Sequence, residues 1–488
     1  MADFDVEYDL VVVGGGASGK SAALIAARAG KSVVILEKMP ETGGLSVYAE
    51  GTCAFESSIQ KELGTPRLDK YHFPTKAEGI EKFMHYSHQR ANYDVVRAFV
   101  ENSAETIDIY RDLGVVYKTC DIAAEDDPNE VWTFHLPEGL GAHCQEVLLD
   151  AVQKLDVDIF VNTPARELIT EDGKVVGVVA ESEGEPLRVG GKAVILATGG
   201  MGSNPDRIYR YSWFAPSAYN MNTLTPLQNV GDGFDLAQSV GADPTTVTTC
   251  PILAAGGRDM TMDSQCGGAG VNPGVWVNKT GCRFASESVA ENIGDLGTYF
   301  GKQPDGIVWS ILSQADVDRL SKEGSEIAIG EFVVYHEPME RLNTELEANI
   351  ESGLVKKADT FIDLAKQMDV PTTTFVETME NYNKYCEQGY DDEFMKKPEH
   401  LRTLQEGPFY AIPLATGTMG SAGGIKVNGN MQVVDVDYNP IPGLYAVGLE
   451  VTGLYGDTYN MEVPGAANGF AHTSGRIAAR HAIATYID

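Results

Sequence analysis

The chain of 488 residues carries 70 acidic against 37 basic side chains, a formal net charge of −33. That balance excludes a nucleic-acid binder, which needs clustered Lys and Arg, and disfavours docking on an anionic membrane. Hydrophobic content of 43% beside 22% charged residues excludes wholesale disorder and suffices for two or three domains.

The opening "MADFDVEYDL" has neither a cationic segment nor an apolar one, and no run of eighteen apolar residues follows, so a cytoplasmic chain without a membrane span is expected. "YDLVVVGGG" reads as a buried parallel strand. It runs into Gly14-x-Gly16-x-x-Gly19 and the Ala-rich helix "KSAALIAARAG", after which a second strand, "KSVVILEK", reaches Glu37. This is a βαβ unit of about thirty residues with an acid about twenty residues past the glycines. From Lys61 to Leu149 apolar residues recur at three- and four-residue spacing, which predicts helices. Strands return between Asp158 and Gly200, with "GKVVGVVAES" beside a turn at Asp172-Gly173 and "KAVILATGG" after it. The block from Met201 to Asp369 is irregular, rich in Gly and Pro, and a helix "TTTFVETMENYNKYCEQG" follows it. The chain then returns to strands with "GLYAVGLEV" and closes on the helix "GFAHTSGRIAARHAIATYI". The expectation is an α/β fold: a Rossmann-like nucleotide-binding domain split as 1–205 and 366–488, with a second α+β domain inserted at 206–365.

Glycine is over-represented, 52 residues in all, without a collagen-like period, so the glycines serve turns or close approach to a ligand. Cys53, Cys120, Cys144, Cys250, Cys266, Cys282 and Cys386 form no CxxC pair, zinc pattern or haem motif, and reduced thiols are expected. His85 and His88 share a helix face at i, i+3 without a third ligand, so no metal site is expected. The glycine motif, with a strand before it, a helix after it and an acid beyond, places a pyrophosphate at the helix N-terminus and ribose hydroxyls at Glu37. The loop "KMPETGGLS", the strand-to-turn "AVILATGG" and a second such turn ending on Glu450 favour FAD over NAD. No second GxGxxG marks a separate NAD(P)H domain, which leaves three sources of reducing equivalents open: an external electron donor such as a partner flavoprotein, transient nicotinamide binding, or a second substrate molecule.

The order of these motifs, with "GVWVNKTGCRFASES" and the terminal "GLYAVGLEVTG…GRIAA", resembles the fumarate reductase and 3-ketosteroid dehydrogenase superfamily of flavoproteins. The resemblance implies that the inserted domain caps the flavin and that hydride passes between flavin N5 and a substrate carbon. It implies cofactor contacts at Gly14, Gly16, Ala17, Ser18, Gly19, Glu37, Lys38, Gly43, Gly44, Leu45, Ser46, Ala165, Ala197, Thr198, Gly199, Gly200, Asp232, Glu450, Ala466, Ala467 and Asn468. Leu45-Ser46 stands where membrane-bound members carry their covalent-flavin His, so noncovalent FAD is expected.

The departures from fumarate reductases bear on substrate. Glu291 falls where their proton-donating Arg stands, and the C-terminal "GLYGDTYNMEVPGAANG" offers Tyr455 and Tyr459 in place of a carboxylate-binding Arg. Thr416-Gly417 replaces their His pair. A dicarboxylate without arginine partners in a closed site is costly, so fumarate and succinate are not expected substrates. Tyrosine suits a neutral aromatic or steroid-like substrate. The opening sixty residues are similar to the tetrahydrodaidzein reductases of equol-producing gut bacteria. That likeness implies loss of the 4-hydroxyl of an isoflavan-4-ol through a quinone methide, with Tyr459, Tyr455 and Glu291 as catalytic candidates. The alternatives are a 3-ketosteroid dehydrogenase or enone reductase and, in another class, a non-catalytic electron-transfer subunit. Arg283 is expected to pair with Glu287, Arg258 either to hold a phenolate or to cap a turn, and His135 and His143, which flank "LPEGLGA", either to face the substrate cleft or, as a lone His more often does, to serve as satisfied structural residues.

Overall fold

The computed structural model describes residues 3–64, 72–120, 133–212, 219–223, 226–244, 250–291, 293–327, 333–456, 459 and 462–488. The chain divides into two compact units, one made of residues 1–212, 225–252 and 420–488, the other of 213–224 and 253–419.

The first unit is built on a mostly parallel sheet in the order Gln432–Val434, Pro440–Ala446, Glu185–Leu196, Val6–Val13, Val33–Leu36, Asp158–Phe160. Val6–Val13 pairs in parallel with strands on both sides, Val13 facing Leu36 and Leu196. Its residues Leu10 to Val12 are fully buried, which is why the sequence there is a continuous apolar run and not an alternating one. The hairpin Ala165–Glu171 to Lys174–Ser182 turns at Asp172 and Gly173, both at positive φ as such a two-residue turn requires. Helix Ala17–Arg28 packs against the late helix Ala466–Ala482 through small residues: a Cβ at Gly475 would stand 2.1 Å from the Ser18 carbonyl oxygen. Between these elements lie the expected helices, Lys76–Tyr86, Tyr93–Asn102, Ala104–Asp112 and Leu140–Gln153. A small sheet of Thr52–Cys53, Phe134–Pro137 and Tyr117–Thr119, which the periodicity did not foretell, interrupts them.

The second unit contains the antiparallel strands Val275–Asn278, Val308–Ser313, Phe409–Ala422 and Lys356–Ala358. One core cluster gathers Trp276, Phe300, Leu320 and Ile412, another Phe375, Met379, Tyr382 and Phe409. The expected boundaries are corrected here. Residues 366–419 lie in this unit because the strand at Phe409 pairs with Val308–Ser313 and the helix Thr372–Gln388 buries Phe375 and Met379 in the same core. Residues 225–252 lie in the first unit, where helix Asp232–Ser239 reaches the nucleotide-type cleft.

Arg283 is fully buried and pairs with Glu287 as expected, and with Asp391 as well, at 2.7 and 2.8 Å. The guanidinium is flanked by the rings of Tyr382 and Phe394, so it serves the core of the unit. Among the described residues no helix is long and apolar enough to cross a membrane, and no group of His, Cys, Asp and Glu could hold a metal ion.

Candidate functional site

Where Val6–Val13 and Glu185–Leu196 end side by side, a cleft opens, lined by residues of the first unit. Gly14 holds φ at +109°, and a Cβ there would stand 2.3 Å from the Ala197 carbonyl oxygen, so glycine is what lets the two strand ends lie this close. Gly16 caps helix Ala17–Arg28 without a side-chain bond, and no acid occupies the first turn. The helix therefore presents its N-terminal dipole and first-turn N–H groups to the cleft beside Ala17 and Ser18. The second glycine turn lies against the first: Gly43 N–H donates to the Gly15 carbonyl at 3.0 Å, and a Cβ at Gly44 would come 3.4 Å from Gly16 Cα. Leu45 and Ser46 follow and line the same cleft.

Glu37 sits at the far end of Val33–Leu36. Its Oε2 accepts the Gly15 N–H at 2.8 Å and its Oε1 the Met39 N–H at 2.9 Å. Each oxygen keeps a lone pair for a ligand hydroxyl. Lys38 donates to the Gln228 carbonyl at 2.5 Å and pairs with Asp232, tying the strand end to helix Asp232–Ser239. On the opposite wall, Thr198 gives its N–H to Glu450 Oε1 at 3.0 Å and its hydroxyl to Oε2 at 2.5 Å, while its Oγ1 accepts the Gly233 N–H at 3.0 Å. Burial pushes the Glu450 carboxyl up to about 8 against the pull of those two bonds, and nearby Asp232 adds to the rise.

The expected cofactor residues divide accordingly. Gly14, Gly16, Ala17, Ser18, Glu37, Lys38, Gly44, Leu45, Ser46, Ala165, Ala197, Thr198, Gly199 and Asp232 all line the cleft. Gly19 and Gly200 do not: their missing Cβ atoms would stand 2.0 Å from the Gly14 oxygen and 2.2 Å from the Ser421 oxygen, so both are packing positions. Gly43 shapes the turn, and Glu450 stands behind Thr198. Ala466, Ala467 and Asn468 form the first turn of helix Ala466–Ala482 outside the cleft lining. There Asn468 Nδ2 donates to Gly51 O and Thr52 Oγ1, and its buried Oδ1 has no partner among the described residues. Pro164, Gln228, Asn229, Leu449 and Ala471 also line the cleft and were not foreseen. The paired glycines of Gly231-Asp232-Gly233 were the one signal in the sequence for that wall.

Tyr455 and Tyr459 lie together, ring centroids 5.0 Å apart at 53°, with Phe83 6.1 Å beyond Tyr455. They are 6% and 8% exposed. Glu291 ends the short turn Glu287–Glu291, and its side chain lies outside the described residues. His135 does not face a cleft. Burial lowers it to about 4, its Nε2 takes the Ser57 hydroxyl at 2.7 Å, and its Nδ1 donates to Thr133 O at 2.8 Å. His143 is partly exposed beside Glu146. Arg258 donates to Gly306 O at 2.9 Å, the turn-capping alternative.

An uncapped helix start, two stacked glycine turns, a carboxylate at the next strand end and an orphaned Asn468 Oδ1 make a donor and acceptor set that fits an extended dinucleotide such as FAD. Comparison with known proteins agrees. The FAD binding domain family profile matches residues 9–463. The chain is 35% identical to a vinyl phenol reductase of Lactiplantibacillus plantarum, over 97% of this chain and 96% of that one. A flavocytochrome c3 fumarate reductase in its open conformation superposes with a TM-score of 0.72 at 25% identity, over 98% of this chain and 79% of that one. The 3-ketosteroid delta1-dehydrogenase of Sterolibacterium denitrificans shares the fold with a TM-score of 0.78 at 21% identity, over 98% and 100% of the two chains. The chain belongs to the FAD binding domain family and is an FAD-dependent oxidoreductase.

Proposed function

We propose that this oxidoreductase reduces neutral phenols, with tetrahydrodaidzein as substrate and equol as product. The observation that carries the reading is the buried pair Tyr455 and Tyr459, on the C-terminal loop where fumarate reductases carry a carboxylate-binding arginine. The 35% identity to a vinyl phenol reductase along nearly the whole length of both chains supports the same substrate class.

FAD is held noncovalently in the first-unit cleft. The first turn of helix Ala17–Arg28 takes the diphosphate, Glu37 the ribose hydroxyls, and the turn at Gly44, Leu45 and Ser46 together with Thr198 and the first turn at Ala466 to Asn468 takes the remainder. FAD bound there would supply the hydride. The tyrosine pair handles protons. Their hydroxyls accept the proton of the phenol para to carbon 4 and supply one to the leaving 4-hydroxyl. Water departs, and a quinone methide electrophilic at carbon 4 remains. A vinyl phenol reaches the same kind of electrophile when its terminal CH2 is protonated, so one proton-handling pair serves both substrates.

The test is anaerobic stopped-flow on the reduced protein with tetrahydrodaidzein, a 4-vinylphenol, a 4-ene-3-ketosteroid and fumarate. Rapid return of oxidised-flavin absorbance with tetrahydrodaidzein, and equol among the products, is the expected result. Reoxidation by the vinylphenol alone would keep the phenolic class and replace the substrate. Reoxidation by the steroid or by fumarate alone would overturn the reading.

A further inference from the structure

Gly453, Tyr455, Gly456, Tyr459 and Glu462, on the segment that carries the tyrosine pair, are all held by one stretch of chain, residues 76–92. The Asn92 N–H donates to the Gly453 carbonyl at 2.7 Å. Gly456 lies so close to the turn after the helix that a Cβ there would stand 3.3 Å from Ser87 Cβ. Phe83 packs on the Tyr455 ring. The Tyr86 hydroxyl donates to the Tyr459 carbonyl at 3.0 Å, and Lys82 pairs with Glu462 at 3.1 Å. Four of these contacts, 92 with 453, 87 with 456, 86 with 459 and 82 with 462, run in opposite order along the two segments as a clasp, and Phe83 reaches back to Tyr455 across it. Helix Lys76–Tyr86 is itself anchored. A capping box at Thr75 fixes its start, and Phe83 packs edge-on against Phe99 of the next helix, whose ring meets Phe470 of Ala466–Ala482 in turn.

We propose that Tyr86 is the positioning residue of the site: through the Tyr459 carbonyl it fixes where the Tyr459 hydroxyl stands, and the segment 82–92 sets the geometry of the tyrosine pair. This rests on the reading that the pair handles the substrate's protons. The Tyr86 hydroxyl reaches backbone, so its loss shifts the loop without removing a group that touches substrate. A hydrogen bond of ordinary net strength corresponds to about a fivefold effect on turnover.

The experiment is a double-mutant cycle on the FAD-loaded protein, with Tyr86→Phe, Tyr459→Phe and the pair combined. Each is assayed for kcat and KM with the phenolic substrate, for FAD content and for melting temperature. The expected result is that Tyr86→Phe lowers kcat about fivefold with FAD content and melting temperature unchanged, and that this effect vanishes in the Tyr459→Phe background. Lys82→Ala should weaken turnover by a smaller factor that Lys82→Arg restores. If Tyr459→Phe impairs turnover and Tyr86→Phe does not, or the two effects simply multiply, the positioning role is overturned while the catalytic reading stands. A loss of FAD or of melting temperature that accounts for the whole effect of Tyr86→Phe would also overturn it. If Tyr459→Phe changes nothing, the catalytic reading falls, and the positioning role with it.

Discussion

Thr198 gives both its backbone N–H and its hydroxyl to one carboxyl group, that of Glu450, which lies fully buried behind the wall of the cofactor cleft. Burial holds that carboxyl near 8, above its ordinary value of 4.5, so the folded chain binds a proton there that the unfolded chain releases. The resulting stabilisation is complete below about pH 4.5 and is lost as the pH rises through about 8. Denaturation of the cofactor-stripped protein between pH 5 and 9 should show stability falling with pH. Glu450→Gln, which keeps a neutral group in place, should flatten that slope. A slope unchanged in the variant would assign the pH dependence elsewhere.

Two glycines of one motif should respond in opposite ways to alanine. A Cβ at Gly16 meets nothing nearer than the Gly43 oxygen at 3.9 Å, and the residue has an ordinary negative φ of −75°. Gly16→Ala should leave the melting temperature of the apoprotein almost unchanged and weaken FAD binding by about tenfold or more, because the methyl enters the space the diphosphate needs. Gly19→Ala drives a Cβ to 2.0 Å from the Gly14 oxygen and should cost about 1–3 kcal/mol of fold stability. Calorimetry of the apoproteins and FAD titration separate the two outcomes.

Noncovalent FAD predicts that acid precipitation releases all the flavin into the supernatant. A yellow pellet that resists washing would require a covalent bond and contradict the place given to Leu45 and Ser46.

Removing Arg283 should be among the most damaging single changes to the second unit. The guanidinium bridges Glu287 and Asp391 in a fully buried cluster with Lys396. Burial alone would raise the Asp391 carboxyl, yet Arg283 outweighs it and holds the group down at about 2. Arg283→Met leaves that carboxylate buried without its cation and should cost about 3–5 kcal/mol in urea unfolding.

Local chemistry explains what could be read in advance. The buried strand, the glycine turn and Glu37 lie within thirty-odd residues of one another, and each leaves its own mark: an apolar run, glycines at two- and three-residue spacing, an acid at a strand end. The glycine-rich turns did not separate Gly16, which fronts the cleft, from Gly19 and Gly200, which pack against backbone, because both roles select the same residue for the same lack of a Cβ. Gln228, Asn229, Leu449 and Ala471 were missed because tertiary pairing alone brings them to the cleft. The helix Thr372–Gln388 was placed in the wrong unit since its periodicity states that one face is buried and not against which sheet.

The cleft draws its walls from distant parts of the sequence. Gly14 to Ser18 form one side, while Leu449 and Ala471 complete another after more than four hundred intervening residues, and helix Ala466–Ala482 must seat Gly475 on Ser18 before the first helix is covered. During synthesis the glycine loop therefore leaves the ribosome long before the chain that finishes its pocket. Flavin capture must wait until Leu449 and Ala471 have emerged, and a nascent chain cut short before residue 449 would be released colourless.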